Sequence, residues 1–70
     1  MPGTRTAPLI EADQSRLRDL IRDRGEAAVV ELIGVPRQTL ARCLGGLPVR
    51  AGTAALVAAA LARLAGEGAR

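Results

Sequence analysis

From residue 26 the chain builds a helical apolar pattern, breaks it at Gly34-Val35-Pro36 and restarts it at once. Before the break, Val29, Val30 and Ile33 share one helical face; after it, Leu40, Cys43 and Leu44 do the same. Gly34 suits the left-handed conformation that ends a helix. Pro36 suits a first helical turn, where its missing N–H would find no partner anyway. The restarted segment opens on Arg37-Gln38-Thr39 and stops at Gly45-Gly46. Its polar, cationic first turn needs an explanation.

The rest of the 70-residue chain narrows the choices. It is long enough for one domain, and a domain of this size is marginal without tight packing or a partner subunit. Cys43 is the only cysteine and there is no histidine, so neither an internal disulfide nor a structural zinc site can staple the chain. With no Phe, Tyr or Trp, the core must be built from Leu, Ile, Val and Ala. Many alanines favour helix, and no polar/apolar alternation runs long enough to mark a sheet. The expected fold is all-α.

Four helices are expected, over about 10–24, 26–33, 36–44 and 50–65. In the first, Ile10, Leu17, Leu20 and Ile21 are the apolar positions, with Gly25 as its stop. In the second, Glu26 sits in the first turn, where the helix dipole favours a carboxylate. Leu47 and Val49 are expected to anchor a short extended link. Leu56, Val57, Ala60, Leu61 and Leu64 then form the stripe of the fourth helix, which Gly66 and Gly68 end. Residues 1–8 read as a flexible arm and 67–70 as a frayed end.

The interrupted stretch reads as a helix-turn-helix, two short helices crossing through a tight glycine-containing turn. Removing the inward positions of the third helix leaves Arg37, Gln38, Ala41 and Arg42 on its opposite face. Arginine can grip guanine O6 and N7 with two hydrogen bonds, and glutamine can do the same at adenine N6 and N7. Ala41 lets the helix lie close to a base edge. Thr39 and the first-turn N–H groups suit phosphate.

Residues 26–46, followed by Leu47-Pro48-Val49 and by 53–64, resemble the Cro and lambda-repressor family of helix-turn-helix proteins. The resemblance spans about 17–64. It departs from the family pattern at Val30, where a small residue is usual, and at Pro36, where serine is common. Family members often have a fifth helix, which is not expected here. The resemblance implies a lambda-repressor-like domain that binds double-stranded DNA, at a near-palindromic operator, as a homodimeric regulator, with repression the expected effect. It implies base contacts from Arg37, Gln38, Ala41 and Arg42, and phosphate contacts from Thr39, Gly46 and Arg50. The start of the second helix also meets phosphate in the family, a role that Glu26 does not suit.

Each assignment has a plainer counterpart. Arg37, Gln38 and Arg42 could meet phosphate or solvent, and Arg50 could simply start a helix. Arg5 could reach a minor groove from the arm. Cys43 reads as a small buried hydrophobe. Beyond its stripe, the fourth helix carries Ala54, Ala55, Ala58, Ala59 and Ala62, an apolar surface that suggests self-association.

The formal charge of +3, carried by arginine with no lysine, is compatible with an anionic partner. The alternative to a DNA-binding regulator is a small protein-interaction module, antitoxin-like or a regulatory subunit, and a protein co-regulator is compatible with both. An enzyme is not expected: there is no histidine or tyrosine, no inward carboxylate pair and no phosphate-cradling glycine loop. No cofactor is expected. No leader peptide or membrane-spanning run is apparent, so a cytoplasmic, nucleoid-associated protein is expected.

Overall fold

The computed structural model describes residues 5–68, with side chains through Gly66. It is mostly helical, with four helices and one small sheet, in the order β1 (Thr6–Ala7), α1 (Glu11–Arg24), α2 (Glu26–Ile33), α3 (Arg37–Leu44), β2 (Val49–Arg50) and α4 (Ala51–Gly68).

The sheet corrects the all-α expectation. β1 and β2 pair antiparallel, with Thr6 opposite Arg50 and Ala7 opposite Val49. Two-residue strands are too short to show alternation in a sequence. Of the segment read as an arm, residues 1–4 lie outside the described residues, whereas Thr6–Ala7 is paired.

α1 begins after Ile10, whose extended backbone (φ −67°, ψ 155°) keeps it out of the helix. Ile10 was expected on the apolar stripe, but it is 65% exposed, and its neighbour Leu9 enters the core instead. Glu11 and Asp13 occupy the first turn and Arg22 and Arg24 the last, which matches the helix dipole. Leu17 is fully buried, with Leu20 and Ile21 packed beside it.

The break after α2 is a left-handed glycine. Gly34 sits at φ 84°, ψ 30°, and its N–H donates to the Val30 carbonyl at 2.8 Å. Val35 is buried and plugs the turn into the core, and Pro36 is extended. The chain therefore re-enters a helix at Arg37 rather than continuing α2. Leu40 and Cys43 are fully buried on the inner face of α3. Burial of a leucine such as Leu40 contributes roughly 1.5–3 kcal/mol.

α3 ends in a two-bond glycine cap. Gly46, at φ 72°, donates to the Cys43 carbonyl (3.2 Å), and Leu47 donates to the Arg42 carbonyl (2.9 Å). Leu47, expected as an anchor, is half-exposed, and Val49 alone of the pair is buried. Strand alternation places the side chains of residues one apart on opposite faces, so Val49 points inward and Arg50 outward.

α4 starts one residue after the expected position, because Arg50 belongs to β2, and its backbone stays helical through Gly66 to Gly68. Val57, Ala60 and Leu61 are its buried residues. Leu56, expected in the same stripe, is half-exposed. The core line follows 57, 60, 61 and leaves 56 on the flank with Ala55, Ala59 and Ala62.

α1 packs against all three other helices, and α2 packs against α3 and α4. α3 is held by α1, α2 and β2, without comparable contact to α4 among the described residues. Its outer face is left uncovered by the fold. Among the described residues no helix is long and apolar enough to cross a membrane.

Candidate nucleic-acid interface

Helical spacing and the burial of Leu40 and Cys43 decide what α3 presents outward. Arg37, Gln38, Ala41 and Arg42 are all exposed, and Thr39 is half-buried. The four proposed base-reading residues therefore do share one accessible face. No side chain caps α3, so its first-turn N–H groups, which lack partners within the helix, remain open at that end.

The two arginines of this face differ in their surroundings. Arg37 Nε lies 2.9 Å from Glu26 Oε1, a contact that joins the first turn of α3 to the first turn of α2. Arg42 reaches the other way. Its Nε and Nη2 donate to the Pro48 carbonyl at 3.3 and 2.9 Å. Arg42 thus braces the link into β2, with its guanidinium lying beside the link rather than standing free of the surface.

Thr6, Thr39, Arg42, Pro48, Val49, Arg50 and Thr53 line one open cleft beside α3. It brings together two of the three residues expected at phosphate, Thr39 and Arg50, and adds Arg42 to them. Two guanidinium groups and three hydroxyls there suit an oxyanion, since charge-assisted donors are the strongest available to a phosphate oxygen. Gly46 is not part of this cleft. Its N–H is engaged by the Cys43 carbonyl, and the Gln14 amide lies against its α-carbon, 3.3 Å from where a Cβ would stand.

The sequence did not single out Thr6, Thr53 or the Glu26–Arg37 contact. The two threonines enter the cleft only because β1 pairs with β2 and so delivers the chain's beginning to the start of α4. Glu26 and Arg37 each carried a local signal, but the helix crossing that joins them is a tertiary feature.

Burial pushes the Cys43 thiol above its ordinary pKa, which keeps it protonated near neutral pH. Arg22–Asp19, at 3.7 Å on α1, joins two exposed side chains and contributes little to stability.

No protein-family model, curated protein or solved structure matches this chain.

Proposed function

We propose that this protein is a sequence-specific, double-stranded-DNA-binding regulator built on a lambda-repressor-like helix-turn-helix, with α3 as the helix that enters the major groove. The observation that carries this is the two-sided character of α3. Leu40 and Cys43 are fully buried on one side, while Arg37, Gln38, Ala41 and Arg42 are exposed on the other. The turn glycine and the plug at Val35 hold that face at a fixed angle to α2.

Within this proposal Arg37 and Gln38, at the leading end of α3, read base edges, and Ala41 allows close approach. Arg42, Arg50 and Thr39 flank the same cleft and meet the phosphate backbone. A homodimer would place two such helices about 34 Å apart on a near-palindromic operator. The exposed flank of α4, with Leu56 among alanines, suits the subunit contact. That same flank supports the second proposal, a protein-interaction module, which predicts a stable hetero-complex and no base preference.

Selection of bound duplexes from a random pool tests the choice. The expected result is a preferred sequence with dyad symmetry. Arg37→Ala and Gln38→Ala should each relax preference at one position, at about 1–3 kcal/mol. Equal weakening on all sequences by both substitutions would remove base reading by α3.

A further inference from the structure

We propose that Glu26 is a positioning residue that sets the base preference of Arg37; this rests on the DNA-binding proposal above. A carboxylate is the wrong group for the rim of a DNA-binding surface, since it repels phosphate. Its placement here is specific. Oε1 of Glu26 lies 2.9 Å from Nε of Arg37, an ion pair across the break between α2 and α3.

The guanidinium has two edges that can form paired hydrogen bonds. One contains Nε, and Glu26 occupies that nitrogen. The other, formed by Nη1 and Nη2, is not used by the Nε contact and is the end-on fork that fits guanine O6 and N7. The Arg37 side chain is 70% exposed, so a base edge can reach it. Glu26 itself is 43% exposed and is carried on a helix packed against α1 and α4.

Two effects follow. First, the carboxylate restricts an otherwise mobile side chain to one direction before DNA arrives, which lowers the ordering cost of forming the fork. Second, swinging Arg37 onto a phosphate would break its contact with Glu26 and bring two anions together. Glu26 therefore disfavours the sequence-independent use of Arg37. An ion pair this exposed adds little to folding stability, so its main consequence falls on recognition.

The test compares the full chain with Glu26→Gln, Glu26→Ala, Arg37→Ala and the Glu26→Ala/Arg37→Ala double variant. Binding is measured on the selected duplex, on duplexes altered at the guanine facing Arg37, and on random duplex. Glu26→Ala should reduce the guanine preference about 2- to 12-fold, the span expected for freeing one immobilised side chain, and should tighten binding to random duplex. Glu26→Gln should fall between it and the unaltered chain, and thermal unfolding should hardly move. The loss of preference should vanish when Arg37 is already alanine. A guanine preference unchanged in Glu26→Ala, or a Glu26 effect that persists without Arg37, overturns the proposal. If the unaltered chain binds every duplex alike, the DNA-binding proposal fails first and this one falls with it.

Discussion

Arg42 donates from both Nε and Nη2 to a single acceptor, the carbonyl oxygen of Pro48. The contact ties the last turn of α3 to the link that enters β2, so the outer face of α3 and the cleft beside it keep a fixed relation. It also turns Arg42 toward the backbone-contact side of the proposed interface, away from the work expected of Arg37.

Arg42→Ala should therefore weaken binding to all duplexes by a similar factor. The slope of log affinity against log salt should become shallower by roughly 0.9, the loss of one neutralised phosphate. Stability should fall by no more than about 1.5 kcal/mol, since one exposed hydrogen-bonding group is lost. Titrations at several salt concentrations check this. A change of preference confined to one base position would instead make Arg42 a base reader.

The turn between α2 and α3 should depend on backbone conformation alone. A Cβ at Gly34 would meet nothing within 4 Å, yet φ is +84°. Gly34→Ala should cost about 1–2 kcal/mol, the penalty for placing an ordinary residue in left-handed backbone. Gly66 also has open space around it, but it lies within α4 at an ordinary φ. Gly66→Ala should stabilise by up to about 1 kcal/mol. Urea unfolding of the two variants should show opposite signs. Destabilisation by both would mean that Gly66 is held by a contact, not by conformation.

The parts of the fold carried by local pattern were legible in the sequence. Helical spacing located Leu17, Val29, Leu40, Val57 and Leu61 in the core, and glycine chemistry located the breaks at 25, 34 and 45–46. What escaped was non-local. β1 pairs with a strand more than forty residues away, and neither strand has enough residues to show a period. Ile10, Leu47 and Leu56 look like core residues by type, but each lies just off the inward direction, at a helix entrance, a helix exit or a helix flank. In the candidate site, the outward face of α3 could be obtained by subtraction. The partners of its arginines could not, because Glu26 and Pro48 come within reach only through tertiary packing.

Cys43 makes stability depend on pH in a window that this chain leaves nearly empty. There is no Tyr and no Lys, and arginine stays charged throughout. In the unfolded chain the thiol ionises around its ordinary value of 9.0, whereas burial raises its pKa in the folded protein. The folded state thus binds the proton more tightly. Its contribution is fully present below the unfolded pKa and is lost as pH rises toward the folded pKa, at up to about 1.4 kcal/mol per pH unit. Unfolding measured between pH 8 and 10.5 should show this decline in the unaltered protein and not in Cys43→Ala. Equal declines would place the titrating group elsewhere.

The N-terminal strand offers the most direct test of how the small sheet supports the proposed interface. The N–H of Ala51, the first residue of α4, donates to the Arg5 carbonyl at 2.9 Å. Such first-turn N–H groups have no partner inside their own helix. Pairing of Thr6–Ala7 with Val49–Arg50 continues this contact and brings Thr6 into the cleft with Arg42 and Arg50. A chain lacking residues 1–7 keeps Leu9 and every helix, so it should fold, with a lower unfolding midpoint and faster amide exchange at Ala51. It should also lose affinity for all duplexes alike, because the cleft loses a wall and Arg50 loses its paired strand. The preferred sequence should survive, since Arg37 and Gln38 are held by α2 and α3 and not by the sheet. If removing those residues changed the preferred sequence, base recognition would extend to the beginning of the chain, and Arg5 would be the first residue to substitute.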